Sequence, residues 1–156
     1  TNLLALEDAD GIAVGVINVP GLAETVYAGR GLGCFCNGVP ASVNQHATIE
    51  GSYLTSSGVS PWSDDELLRA KRAGFNLRPW GDGYGYVLVA TGRVEAMSDP
   101  QAALYDVAPM SVILAEAGGR FTDINGDPSP DRGSGLATNG LVHDETLAIL
   151  RGEHPG

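Results

Sequence analysis

An α/β fold with an antiparallel N-terminal part is predicted by three observations. Apolar runs broken by turn signals open the chain, strand and helix patterns alternate from about residue 52, and residues 106–117 form a helix apolar on every face. An antiparallel meander should therefore lead into a largely parallel sheet flanked by helices.

The meander rests on the runs 2–7, 11–19 and 23–28, separated by turns at Asp10-Gly11 and Pro20-Gly21. The next turn, Gly29-Arg30-Gly31-Leu32-Gly33, has the glycine content of a phosphate loop but lacks the following Lys and helix, so it is read as structural. Cys34 and Cys36 lie two apart on a strand and point to one face; they are expected to be reduced. His46 stands isolated in a polar linker and is expected at the surface.

Residues 52–56 form a short strand, and Ser63 with Glu66 makes a capping box that opens a helix to about Ala73, stopped by Gly74. A strand over 75–78 ends at Pro79-Trp80-Gly81-Asp82-Gly83. Residues 84–91 stay open between strand and helix, because Tyr84, Tyr86, Val87 and Val89 suit a strand while the glycines weaken a helix. A strand follows at 94–97. The helix over 106–117 repeats Val107, Met110, Ser111 and Leu114 at helical spacing, takes Pro109 in its first turn and stops at Gly118-Gly119. Asp106 stands at its start, where an acid gains from unpaired amides and reads first as a cap. Strands at 120–123 and 134–138 and a helix at 143–151 complete the chain.

The 156 residues, 43% apolar and 18% charged, suffice for a packed core and exclude a disordered chain. No apolar run reaches a membrane span, and the opening lacks a basic n-region, so cytoplasmic residence is expected. Only nine Lys and Arg against a net charge of -10 argue against nucleic acid as a partner. A phosphate substrate would be repelled by such a chain unless bound cations reversed the field locally.

Several short motifs occur in one order: Leu88-Val89-Ala90-Thr91-Gly92, the spaced Asp99, Tyr105-Asp106-Val107-Ala108, Glu116-Ala117-Gly118-Gly119 and Asn139-Gly140. In these the chain resembles the C-terminal half of the inositol monophosphatase family. Gly81-Asp82, Asp99-Pro100-Gln101 and the run from Ala137 to Glu145 are most similar to its histidinol-phosphatase branch. The resemblance implies the layered sandwich of that family and makes 84–91 a helix begun near Asp82 and ended by Gly92.

It also implies a phosphatase of small phosphate monoesters, histidinol phosphate first, with Mg2+ held by carboxylates and a place in histidine biosynthesis. Asp106 matches a metal ligand of the family, and Asp99 the acid that meets polar substituents of the leaving group. An ammonium there would make a charge-assisted contact, roughly twice as strong as a neutral one, without excluding a polyol. Gly81, Asp82 and Gly83 form a turn that could hold phosphate oxygens, with plain chain reversal equally open. The family usually has Trp where this chain has Tyr105, which should keep an aromatic wall beside the metal. Glu95 is read as a surface charge, Glu116 as a helix charge and Asn139 as a turn residue supporting the site.

Nothing in the chain matches the Asp-Pro-Ile-Asp-Gly-Thr motif or the preceding catalytic Glu of the family, so no catalytic residue is expected here beyond the metal ligand. One carboxylate cannot hold two magnesium ions against water. Residues 1–46 are thus expected to be the last strands of an incomplete first domain, and 47–156 a second α/β domain carrying Asp99 and Asp106. The expected partners are a missing N-terminal half and, as is common in the family, a second copy in a homodimer. Alternative readings are an inositol-phosphate-type phosphatase and an inactive fragment or binding module.

Overall fold

The structure, a computed structural model, describes residues 1–153; residues 154–156, the end of the second expected unit, lie outside the described residues. Its first sheet is an antiparallel meander in the order β1 (Asn2–Asp8), β2 (Gly11–Val19), β3 (Glu24–Gly29), β4 (Gly33–Cys36) and β5 (Val39–Pro40). The turn before β4 is structural, as expected. Gly31 and Gly33 point their N–H groups at the Glu116 carboxylate, each at 2.7 Å, so an acid of this chain fills the place an anion would take. Cys34 and Cys36 are free thiols, and burial pushes the Cys34 thiol up to about 11.

The second sheet contains β6 (Tyr53–Thr55), β7 (Asn76–Arg78), β8 (Ala96–Asp99), β9 (Arg120–Thr122) and β10 (Gly135–Thr138) in the order β7-β6-β8-β10-β9. The ladders of β6 with β7 and β8 are parallel, while β10 runs antiparallel to both β8 and β9. All strands but β10 therefore share one direction.

Helix α1 (Asp64–Arg72) starts at the Ser63–Glu66 capping box and stops before Gly74, whose φ of +103° suits glycine. Helix α2 (Asp82–Ala90) settles the open segment 84–91 as helix, and Gly92 follows it with φ +73°. It is buried from Tyr86 to Ala90, which explains why no polar stripe marked it.

The predicted helix over 106–117 is in fact two: α3 (Leu104–Val107) and α4 (Met110–Glu116). Pro109 separates them because it has no N–H to donate back into the preceding turn. The last helix, α5, covers His143–Arg151 as expected.

Helices α2 and α4 lie between the two sheets and join Ile17 and Val26 of the first to Met97, Phe121 and Ala137 of the second in one apolar core. On the other face of the second sheet, Leu54, Ala96 and Phe75 pack with Ala70 of α1 and with Ile149 and Leu150 of α5. The layers thus read sheet, helices, sheet, helices. Gly15 of β2 shows how close the first two approach: a Cβ there would lie 2.6 Å from the Pro109 carbonyl oxygen. On β1, Leu4 and Leu6 remain more than half exposed.

Two polar knots tie the back of the second sheet. Glu95, expected at the surface, is only 8% exposed. Its carboxylate accepts from Asn44 Nδ2 and the Tyr53 N–H, both at 2.7 Å, because the linker folds over the start of β8. Asn139 completes that knot by donating to Asn44 Oδ1 and the His46 carbonyl, while His46 itself is exposed as expected.

The second knot surrounds His143, which is fully buried. Thr122 Oγ1 gives its proton to the Asp123 carbonyl and so accepts from His143 Nε2–H at 3.0 Å. Thr138 Oγ1 accepts from the Gly140 N–H and donates to Nδ1 at 2.9 Å. The neutral ring is fully satisfied. Burial first, and the Arg120 charge second, hold its pKa down to about 4.

Candidate functional site

Parallel strands β6 and β8 are paired through Leu54 with Ala96 and Thr55 with Met97, so their C-terminal ends lie side by side. Ligand crevices form at this end of open parallel sheets, where chain leaving the strands stands clear of the ladder. Here Ser57 follows β6, Asp99 ends β8, and α2 begins at Asp82. Together with Gly83, Tyr86 and Asp106 they line a cavity of about 250 Å³.

Asp99 is 6% exposed. Its Oδ1 accepts from the Ser57 N–H at 3.0 Å and its Oδ2 from the Tyr86 hydroxyl at 3.1 Å. Burial raises its pKa above the ordinary carboxylate value, the hydrogen bonds from Ser57 and Tyr86 pull it back, and the Asp82 charge adds to the rise. Burial, followed by the neighbouring Asp99 charge, holds the Tyr86 hydroxyl well above its ordinary pKa, which keeps it a donor.

Asp82 has φ +51°, a left-handed conformation rare outside glycine but tolerated by Asp. Its N–H donates to Ser57 Oγ at 2.8 Å, which anchors the start of α2 to the end of β6. Gly81 caps α2 from behind the wall: a Cβ there would fall on the Ser57 backbone. Gly83 is required by close approach, since its Cβ would meet Leu3 Cδ2 at 2.9 Å and Ile17 Cγ2 at 3.1 Å.

Asp106 is exposed and is the third residue of α3. Its Oδ2 accepts from the Ala103 N–H at 3.3 Å, so it does serve a cap, but from the third position of α3, with Ala103 in the capping place, and not at the start of a helix begun at 106. That bond is long and occupies one oxygen, leaving the carboxylate with acceptor capacity beside the cavity.

Of the residues singled out from sequence, Asp82, Gly83, Asp99 and Asp106 meet at one cavity and Gly81 supports it. Tyr105 does not form the expected aromatic wall there; it is 78% exposed and lines a separate apolar groove with Leu3, Leu104 and Pro109. Turning away follows from the helix, since neighbouring residues on a helix face different directions. Ser57 and Tyr86 were missed. Ser57 sits in an unmarked Ser-Ser-Gly stretch, and Tyr86 is indistinguishable in sequence from an ordinary core aromatic.

The cavity acids have the oxygen chemistry a hard divalent cation takes. Among the described residues, however, no group of three or more Asp, Glu, His or Cys comes together that could hold a metal ion. The Asp106 carboxylate, with one oxygen left over beside the cavity, is a donor of the type such a cation takes.

Fold and cavity together define a layered α/β sandwich with an acid-walled pocket at the ends of its parallel strands. The family model for the inositol monophosphatase family matches residues 2–155, and the chain belongs to that family. It is 37% identical to the histidinol-phosphatase of Mycobacterium tuberculosis over 160 residues, covering 96% of this chain and 61% of that protein. To the histidinol-phosphatase of Chlorobaculum parvum it is 36% identical, covering 97% and 61%. The solved IMPase of Thermotoga maritima superposes with a TM-score of 0.83 at 25% identity, over 97% of this chain and 60% of that one. The chain thus spans about three fifths of the length of these proteins.

Proposed function

We propose that these residues are the C-terminal part of a magnesium-dependent phosphatase of small phosphate monoesters, with histidinol phosphate its first substrate. The observation that carries the reading is the meeting of Asp82, Asp99 and Asp106 at one cavity, in a chain similar over nearly its whole length to histidinol-phosphatases.

Each residue has a task in that reading. Asp99, held from two sides, presents its carboxylate to the leaving group's ammonium, a charge-assisted contact. The Gly81-Asp82-Gly83 turn lies against phosphate oxygens; Ser57 already takes the Asp82 N–H, so Gly83 is the amide left to contribute. Asp106 lends one carboxylate to Mg2+. A bound divalent cation would supply charge neutralisation and an acidified water.

The remaining acids would come from an N-terminal half, which would also cover the exposed β1 face at Leu4 and Leu6. We further propose a cytoplasmic homodimer. The family's inositol phosphates are the second substrate class, because Asp99 also accepts hydrogen bonds from hydroxyls. The lack of a three-ligand group among the described residues favours inactivity of this chain by itself.

Phosphate release with Mg2+ tests the reading. The intact protein should hydrolyse histidinol phosphate, and Asp106→Asn should lower turnover at least about a thousandfold while moving the melting temperature by less than about 3 °C. Turnover retained in Asp106→Asn would return that residue to the role of a cap. Turnover by residues 1–156 alone would mean that the cation site is misplaced.

A further inference from the structure

The Asp99 carboxylate is held by two groups with no assigned part in the site. Tyr86 reaches it from inside the core: the ring is 1% exposed, and its hydroxyl, 3.1 Å from Oδ2, is the only polar atom its side chain has to place. Ser57 reaches it from the chain that leaves the neighbouring strand, its N–H on Oδ1 and its Oγ on the Asp82 N–H. The two donors lie on different oxygens, so the carboxylate plane is fixed and the unused lone pairs are left for the cavity.

The backbone makes room for this arrangement. Gly135 pairs directly with Asp99 across the β8–β10 ladder. A Cβ at Gly135 would stand 2.8 Å from the Tyr86 hydroxyl and 3.2 Å from Phe121 Cε2. Every other side chain would crowd the oxygen that holds Asp99. The absence of a side chain opposite the acid therefore has a use: it is the slot through which Tyr86 arrives.

We propose that Tyr86, seated in the Gly135 slot and assisted by Ser57, is a positioning residue that orients Asp99 toward a cationic substituent of the substrate and so sets the preference for amine-bearing phosphate esters. This rests on the phosphatase reading above. Without the Tyr86 bond the carboxylate is free to rotate about the Ser57 contact, and a neutral hydroxyl partner loses less by that rotation than an ammonium does, because only the latter makes a charge-assisted contact.

The test uses the intact protein with Mg2+ and compares histidinol phosphate with glycerol phosphate, which lacks the amine. Tyr86→Phe keeps the ring and removes only the hydroxyl. It should raise KM for histidinol phosphate about tenfold, leave kcat within about twofold, and leave both constants for glycerol phosphate within about twofold. An equal change for the two esters, the mark of a merely structural tyrosine, would overturn the proposal, as would no change for either.

If the wild type hydrolyses neither ester, the phosphatase reading is what has failed. The unfolding free energies of Tyr86→Phe, Asp99→Asn and the double variant then still decide whether Tyr86 holds Asp99. Non-additive effects support that hold, and additive ones overturn it.

Discussion

The two ends of strand β8 each carry a buried acid, and they differ in what their oxygens face. Glu95, just before the strand, is 8% exposed and closes both oxygens on Asn44 and Tyr53. Asp99, its last residue, is 6% exposed, is also held by two donors, yet lines a cavity. Burial alone therefore does not separate an acid closed into the fold from one left open to a ligand. What separates them is whether acceptor capacity remains toward space a ligand could enter.

The largest expected effect falls on stability at the closed end. Glu95→Ala leaves the Asn44 amide and the Tyr53 N–H without their acceptor and should cost about 2–4 kcal/mol in urea unfolding. A loss under about 1 kcal/mol would mean that water repairs the knot, and the contrast between the two acids would weaken.

Next comes the acid limb of stability, set by His143. Its folded pKa of about 4 lies below the ordinary 6.5, so the unfolded chain binds a proton that the native chain refuses. Stability is therefore complete above about pH 6.5 and falls as pH drops toward about 4, by on the order of 3 kcal/mol for this group. Unfolding of wild type and His143→Gln across that window should show a steeper decline for the wild type. Parallel curves would mean that the ring is charged in the fold.

Asp99 slopes the other way. Its folded pKa is raised, so the native chain takes up the proton before the unfolded one does, and its contribution is full below the unfolded value and lost as pH rises through the folded one. Asp99→Asn should accordingly leave the melting temperature at pH 7 unchanged or slightly higher. A clear fall would place Asp99 with Glu95 among the purely structural acids.

Much of the fold was legible because its signals are local. The Ser63–Glu66 box, the Asp10-Gly11 turn and the span of α5 depend on neighbours in sequence. Strand β8 was less so: the run Val94-Glu95-Ala96-Met97 suggested a strand two positions early, whereas pairing of Ala96 with both Leu54 and Thr138 sets its start. That shift matters, since it places Asp99 on the strand rather than two residues past its end. Pro109 could be accommodated by a first turn in sequence, but the real helix had already begun at Leu104.

The cavity acids were named through family resemblance, while Ser57, Tyr86 and the Gly135 slot became visible only once β6, α2 and β10 met. Glu95 was misread for the same reason. Its burial is created by a linker some fifty residues upstream, and no local pattern records that contact.

The most direct measurement compares the two acids of β8 in one assay. Histidinol phosphate and inositol phosphate should be offered to intact protein carrying Asp99→Asn or Glu95→Gln, and the ratio of kcat/KM for the two esters compared with wild type. The account predicts a ratio shifted at least about tenfold against histidinol phosphate in Asp99→Asn and unchanged within about twofold in Glu95→Gln. An unshifted ratio in Asp99→Asn, or an equal shift in both variants, would contradict it.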